Sequence, residues 1–341
     1  MTGHGNDLFS QQESNRQKSS WLLMSFVFFF AWLGFGGDIV LYLMSNSPEP
    51  GSYQHGLPWL GIAATVLASG LAWSAWKFGP QQVLWSTRAM ELITPGTPEQ
   101  SRLVHVVDEM AIAAGMPRPR IWIVPDEDPN AFATGTDPMH ASIAVTEGLL
   151  ARLDRDELQA VIAHELGHIA RYDTRLMTII AAMVGAIALL SDGVGRVLFQ
   201  SGRMGANMGR VGTRSLGRAA GRRSSGTGTL LPILLVVWLV SLLVAPLLSR
   251  LMAMAISRKR EFLADATAAQ YTRNPGALIR ALRKIDDVRT PTLAVGRGAA
   301  HLCIIDPSDR RFQRWSGLTG DLLASHPAVE ERVRRLEAMG G

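Results

Sequence analysis

Long apolar blocks constrain this chain more than any other feature of its sequence. Residues 21–44 contain one charged residue, Asp38, and residues 57–78 contain none apart from Lys77. A helix needs about 20 largely apolar residues to cross a bilayer, whereas the apolar core of a signal peptide is shorter and precedes a cleavage site. The two blocks therefore predict two transmembrane helices, which follow a cytoplasmic tail at residues 1–20.

The positive charges around these blocks predict their orientation. Arg16 and Lys18 precede the pair and Arg88 follows it, whereas residues 45–56 between the blocks contain neither lysine nor arginine. Lysine and arginine concentrate in cytoplasmic segments, so the N-terminus and the segment after residue 78 are expected in the cytoplasm. The same rule accounts for the formal net charge of +5 without a nucleic-acid partner.

Two further apolar blocks, residues 176–199 and 230–256, predict a membrane hairpin. They flank residues 200–229, whose arginine- and glycine-rich composition predicts a flexible loop. The uninterrupted run of the first block, residues 176–190, is short for a full span. If the hairpin does cross, the arginines of the loop lie outside the cytoplasm, against the usual charge rule. The sequence leaves open whether this hairpin crosses the membrane or only enters it.

Residues 154–172 predict an amphipathic helix. Asp154 and Glu157 form a capping-box pattern at its start. Apolar residues then recur at steps of three and four, which gives one buried stripe. Gly167 lowers the helix propensity by roughly 1 kcal/mol relative to alanine, which predicts that another element packs closely at this position.

This helix carries the sequence HELGH, which predicts a zinc site. His164 and His168 lie one turn apart on one face, where both rings can bind a single ion. Glu165 lies beside them and is placed to act as a general base on a metal-bound water. The alternative is a chance match to a short pattern, but its position inside a strong helix favours a site.

Zinc in a catalytic site needs a third protein ligand, and Glu261 is the candidate. Glu261 and Asp265 lie four residues apart among apolar residues in the segment 257–271. Glu261 as a ligand and Asp265 as the acceptor for a ligand histidine would satisfy both carboxylates. The alternative is a solvated helix face on which they pair with Arg258 or Arg260. If Glu261 binds the same ion as His164, the chain between them crosses the membrane an even number of times.

The chain as a whole resembles the HtpX-type membrane zinc metalloproteases, which are relatives of the CAAX prenyl proteases. The resemblance covers most of residues 20–339 and includes the paired N-terminal apolar blocks. It rests further on the order and spacing of four fragments: NAFATG at 130–135, TEGLLARLDRDELQAVIAHELGHIARYD at 146–173, SRKREFLADA at 257–266 and ASHPAVEERVRRLEAM at 324–339.

The resemblance implies roles for the site residues. His164, His168 and Glu261 would bind one zinc ion per chain, Glu165 would be the general base, and Asp265 would support a ligand. It also implies a mainly α membrane protein, in which transmembrane helices accompany a zincin-like α+β protease domain with a small edge β-sheet. That domain is then split by the membrane hairpin into two parts, at residues 79–175 and 257–341.

The resemblance also assigns a substrate-binding region. Asn130, Ala131 and Phe132 would begin a region in which an edge strand pairs with the extended substrate backbone, and residues 142–146 read as a short strand. An ordinary hairpin is the alternative.

Two residues of the last fragment are further candidates. His326 would donate a hydrogen bond to the oxyanion of the tetrahedral intermediate, or would act as a structural cap before the helix that follows Pro327. Arg332 would support the site through a salt bridge.

Three functions from different classes compete. The preferred one is a multi-pass endopeptidase of the inner cell membrane with a cytoplasmic active site, which cleaves misfolded or damaged membrane proteins in quality control and stress responses. The second is a catalytically silent membrane scaffold or chaperone of the same fold. The third is binding of anionic lipid or nucleic acid by the arginines of residues 202–229, which lack the interleaved aromatics of a stacking platform. The expected partners are protein substrates and the lipid bilayer, without a specific nucleic acid.

Overall fold

The computed structural model describes residues 4–44, 57–183, 236–237, 258–288, 294–295, 302–305 and 327–339. Most of the predicted membrane hairpin, the whole of its loop, and His326 lie outside these ranges. The chain forms two compact units. Unit 1 comprises Met1–Leu23, Trp73–Met183 and Arg250–Gly341, and unit 2 comprises Met24–Ala72 and Val184–Ser249.

Two long helices coincide with the first two apolar blocks. Helix α1 spans His4–Met44 and helix α2 spans Trp59–Ser86. By length and composition both are able to cross a membrane, over Ser10–Ile39 and Trp59–Ser86. The helices extend beyond the predicted blocks, because helical backbone continues into the polar residues that flank them.

Within unit 2, α1 and α2 pack closely and share a polar contact. A Cβ atom on Gly34 would lie 2.7 Å from Cβ of Ala64, so only glycine permits this approach. Asp38 is buried, and its carboxylate accepts hydrogen bonds from the N–H groups of Gly61 at 2.7 Å and Leu60 at 3.3 Å. The single charge of the first apolar block therefore caps the start of α2.

Unit 1 contains a four-stranded sheet. The strands are β1 (Met90–Glu91), β2 (Arg120–Val124), β3 (Ala131–Thr134) and β4 (Ser142–Thr146), in the order β1-β2-β4-β3. Strands β2 and β4 are parallel, whereas β3 is antiparallel to β4. The predicted strand at residues 142–146 is confirmed, but it lies inside the sheet, and the edge position belongs to β3. Strands β3 and β4 form a hairpin of which β3 is the edge, and pairing of this edge with a substrate stays a prediction.

Unit 1 contains further helices besides its parts of α1 and α2. They are α3 (Pro98–Ala114), α4 (Glu147–Arg152), α5 (Arg155–Ala170), α6 (residues 173–183), α7 (Arg258–Thr272), α8 (Pro275–Asp286) and α9 (Val329–Glu337). Helix α5 is central, because it packs against α3, α7, α8 and β3.

Helix α5 begins and packs as the sequence predicts. Asp154 accepts a hydrogen bond from the Glu157 N–H at 2.9 Å, and the Glu157 side chain accepts one from the Asp154 N–H at 2.9 Å, which confirms the capping box. The predicted apolar stripe is buried. A Cβ atom on Gly167 would lie 3.3 Å from Cβ of Thr267 and 3.4 Å from Cα of Ala264. The expected close neighbour of Gly167 is therefore α7, the helix that carries the second half of the site.

Candidate metal centre

Three side chains from two helices converge in the interior of unit 1. His164 and His168 come from α5 and Glu261 from α7, and one ligand atom of each lies within 4.8 Å of the others. The two Nε2 atoms are 3.2 Å apart, and they lie 3.7 Å (His164) and 3.6 Å (His168) from the Glu261 carboxylate oxygens. Ligand atoms held tetrahedrally at zinc–nitrogen distances are about 3.3 Å apart. The donor set and its spacing therefore fit a zinc ion.

Burial supports the same interpretation. His164 and Glu261 have no exposed surface and His168 is 6% exposed. A buried carboxylate is strongly destabilised unless it is paired or binds a metal. The alternative that Glu261 and Asp265 lie on a solvated helix face is wrong, because Asp265 is only 2% exposed and Arg260 instead lies 3.6 Å from Asp173.

Asp265 orients the first histidine. Its Oδ1 lies 2.9 Å from Nδ1 of His164, which leaves Nε2 as the atom directed at Glu261 and His168. Arg332 holds Asp265 in turn through two hydrogen bonds, from Nε to Oδ2 at 2.9 Å and from Nη2 to Oδ1 at 2.7 Å. Burial alone would favour the neutral acid, but the charge and hydrogen bonds of Arg332 outweigh it and hold the pKa of Asp265 below its usual value. The predicted salt bridge of Arg332 is thus made with Asp265, the carboxylate that contacts His164.

Asp173 orients the second histidine, and the sequence interpretation missed it. Its Oδ2 lies 3.2 Å from Nδ1 of His168, and its Oδ1 accepts a hydrogen bond from the side-chain amide of Asn15 at 2.8 Å. Tyr172, with φ of 59°, turns the chain sharply between α5 and α6, and this turn places Asp173 beside His168. A carboxylate directly after the H-E-x-x-H helix was the available signal. Asn15 carries no comparable signal, since it precedes Asp173 by 158 positions.

Glu165 lies between the histidines in sequence and faces the sheet. It is 2% exposed, and the backbone N–H of Ala133 in β3 lies near its carboxylate and opposes the rise in its pKa. Burial is the main cause that raises the pKa of Glu165 to about 7, and the negative charge of Glu261 adds to it. A raised pKa of this kind suits a general base that later acts as an acid.

The predicted substrate-binding residues lie at the start of the edge strand. Ala131 and Phe132 belong to β3, and Asn130 precedes it. The outer edge of β3 contacts another segment of the chain, since Phe132 forms an isolated antiparallel bridge with Cys303. Cys303 is buried.

A helix that presents two histidines and a glutamate in this order, with a further carboxylate from a second helix, is the arrangement of the H-E-x-x-H class of metallopeptidases. The profile of peptidase family M48 matches residues 98–340. The chain belongs to peptidase family M48. The family implies a metal cofactor, generally zinc, and the residues described above fit one.

Relatives along nearly the whole chain agree with this assignment. The chain is 36% identical over 332 residues to the protease HtpX homolog of Streptococcus gordonii, which covers 97% of this chain and 100% of the relative. It is 39% identical over 268 residues to the protease HtpX homolog of Thermoanaerobacter pseudethanolicus, with 78% of this chain and 80% of the relative covered. The resemblance to HtpX-type proteases is thus confirmed. The crystal structure of S. mikatae Ste24p, at 16% identity, covers 97% of this chain and 67% of its own with a TM-score of 0.39, a likeness too weak to carry a conclusion.

Proposed function

We propose that the chain is a membrane-bound, zinc-dependent endopeptidase that hydrolyses peptide bonds of misfolded or damaged membrane proteins. The observation that carries this proposal is the buried cluster of His164, His168 and Glu261 next to a carboxyl, Glu165, that also contacts an edge strand. Metal ligands, a proton acceptor and a surface for an extended peptide therefore meet at one place.

Each residue of the cluster has a separate role in the proposed hydrolysis. His164, His168 and Glu261 hold the metal, while Asp265 and Asp173 fix the orientation of the two imidazoles. When bound by these residues, a zinc ion would supply an acidified water and would polarise the scissile carbonyl. Glu165 accepts the proton of the attacking water and delivers it to the leaving amine. His326 as a donor to the oxyanion stays a prediction from the sequence.

The edge strand supplies the surface for the substrate backbone. The N–H of Ala133 faces Glu165, so a peptide that extends the sheet beyond β3 runs directly past the general base. Backbone pairing of this kind is largely independent of sequence, which suits a protease whose substrates share exposure of extended segments rather than one recognition motif.

The membrane location rests on α1 and α2. Both are long and apolar enough to span a bilayer, and the lysines and arginines that flank them favour a cytoplasmic N-terminus and a cytoplasmic protease domain. We infer a multi-pass protein of the inner cell membrane, whose partners are the bilayer and membrane-protein substrates.

Metal content and cleavage, measured together on detergent-purified protein, test the proposal. Wild-type protein should hold about one zinc per chain and cleave casein. Glu165→Gln should keep the metal and lose cleavage, whereas Glu261→Gln should lose both, because only the second removes a ligand. Glu109→Gln, which changes an exposed carboxyl of α3, is the matched control.

Two outcomes would contradict the assignments. Full zinc retention in Glu261→Gln would mean that the third ligand is another residue. Wild-type protein that holds zinc but cleaves no protein substrate would favour the catalytically silent scaffold instead.

A further inference from the structure

Residues 302–305 run along the outer edge of β3. The N–H of Ile304 donates to the carbonyl oxygen of Ala131 at 2.9 Å. The side-chain amide of Asn130 donates to the carbonyl oxygen of Ile305 at 2.9 Å, and Nη1 of Arg332 donates to the carbonyl oxygen of Ile304 at 2.8 Å. Each of these three bonds involves a backbone atom of the segment, so they would bind an extended peptide of any sequence.

The partners of this segment belong to the site itself. Arg332 is the residue that holds Asp265, and through it His164. The antiparallel bridge places Cys303 opposite Phe132, and this register brings Leu302 opposite Ala133, whose N–H contacts Glu165. The segment therefore occupies the stretch of edge that leads to the general base.

Apolar side chains hold the segment in place. Leu302, Cys303, Ile304 and Ile305 are all buried, at 5%, 0%, 1% and 6% exposure. Ile304 and Ile305 belong to the main core of unit 1, and Leu302 and Cys303 belong to a smaller cluster with Phe132. A peptide that takes this position must offer both an extended backbone and apolar side chains, which are the groups that an unfolded membrane protein exposes.

The geometry points to residues 302–305 as an internal pseudosubstrate. A substrate binds as an extended apolar segment in their place and makes the same bonds to the carbonyl of Ala131, the amide of Asn130 and the guanidinium of Arg332. Bound in its own edge, the segment keeps the protease closed to chains that do not compete for it. This inference rests on the proposed peptidase function. It adds that an extended apolar peptide binds the edge of β3 and that residues 302–305 control access to this edge.

A disulfide that locks the segment tests the inference. Cys303 is the single cysteine of the chain, and it lies opposite Phe132 in the antiparallel bridge. This is a non-hydrogen-bonded pair, because the backbone hydrogen bond runs between the neighbouring residues Ile304 and Ala131. Such pairs have Cα atoms about 4.5 Å apart, within the range of a disulfide. Phe132→Cys should therefore form a reversible cross-link with Cys303.

The oxidised, cross-linked variant should keep its zinc but lose measurable casein cleavage. Reduction of the cross-link with a phosphine should return casein cleavage to the level of the variant that was never oxidised. The comparison is within one protein, so any direct effect of the substitution on the site cancels. Phe132→Cys combined with Cys303→Ser, taken through the same oxidation, is the control. Equal cleavage by the locked and reduced forms would show that the segment is a permanent strand and would overturn the inference.

A binding measurement separates this inference from the proposed function. In a Glu165→Gln background, a fluorescent apolar decapeptide should bind the reduced Phe132→Cys protein and not the locked one. If that difference appears while wild-type protein cleaves nothing, residues 302–305 do compete with peptides for the edge of β3, but the peptidase assignment fails. If cleavage is present but locking changes neither binding nor rate, the pseudosubstrate fails alone.

A second variant covers the case in which Phe132→Cys does not fold. Ile304→Ala keeps every backbone bond of the segment but removes much of its buried side chain, so the segment leaves the edge more often. Because apparent affinity rises with the fraction of open sites, the decapeptide should bind about threefold or more tightly. Weaker binding by a variant that retains its zinc and its thermal midpoint would overturn the inference.

Discussion

The two histidines of the metal centre are held by matching carboxylates, but the regions behind those carboxylates differ. Asp265 is fixed by the two-pronged contact of the buried cation Arg332 from α9. Asp173 is fixed by the neutral amide of Asn15 from α1, with Arg260 farther away at 3.6 Å. Asp265 is thus held by a buried charged residue, whereas the position of Asp173 depends on a neutral residue of the N-terminal helix.

This difference appears in the protonation of the imidazoles. Burial is the main cause that lowers the pKa of His164 to about 4, and the charge of Arg332 contributes although Asp265 opposes it. Burial also acts on His168, but there the negative charge of Glu261 and the contact with Asp173 outweigh it and raise the pKa. His164 is therefore neutral and ready to bind metal, whereas negative charge dominates around His168. The two sides should fail differently when they are changed.

The largest effect is expected from Arg332→Met, on stability. This variant leaves the carboxylate of Asp265 buried without its cation, which typically destabilises a protein by about 3–5 kcal/mol. We expect a large fall in the thermal midpoint of detergent-purified protein, with or without added zinc. Arg334→Met on the same helix, where the side chain is exposed, should change the midpoint little.

A double variant sharpens this prediction. Arg332→Met combined with Asp265→Leu removes both charges, so part of the lost thermal stability should return, while zinc binding stays weak because His164 has lost its partner. If the double variant is no more stable than Arg332→Met alone, the unpaired carboxylate was not the cause.

The next effect in size is expected from Asp173→Asn, on metal affinity. Loss of a carboxylate behind a ligand histidine typically weakens metal binding by about 10–100-fold. Zinc affinity from chelator competition should fall within that range and match the fall in Asp265→Asn, if the two carboxylates are equivalent toward the metal. Asp108→Asn, at an exposed position, is the control. An unchanged zinc affinity in Asp173→Asn would mean that only the His164 side is held from behind.

The sequence predicts those parts of the site whose residues lie close together in the chain. His164, Glu165 and His168 are fixed by the period of one helix, so five residues are enough to identify them. Glu261 and Asp265 are identified by a similar local pattern, two carboxylates one turn apart among apolar residues. The capping box and the packing at Gly167 belong to the same local class, and the structure confirms both.

Contacts between distant segments could not be predicted in this way. The pairing of residues 302–305 with β3, and the bond from Asn15 to Asp173, join segments whose local sequences carry no period or motif that names the partner. The same reason explains why the strand at residues 142–146 was predicted but its inner position was not. A strand's own sequence predicts its conformation, whereas its place in the sheet depends on what pairs with it.

The smallest fall in zinc affinity is expected from Asn15→Leu. This variant tests whether the N-terminal helix affects the metal centre through Asp173. Asn15 is 5% exposed and donates both to Asp173 at 2.8 Å and to the carbonyl of Arg171 at 3.0 Å. Removing this donor frees Asp173 to turn away from His168. Because the change acts one bond farther from the metal than Asp173→Asn, zinc affinity should fall by less, about threefold to tenfold.

Gln12→Leu is the matched control for this change. Gln12 lies one turn earlier on α1 and donates to the carbonyl of Ala170 at 2.7 Å, so it holds the same helix against the same turn without touching Asp173. Equal losses of zinc affinity in the two variants would mean that α1 acts only by docking. A loss confined to Asn15→Leu would instead show that the N-terminal helix orients a metal ligand through one carboxylate. The His168 side would then depend on the N-terminal part of α1, while the His164 side, held by Arg332, would not.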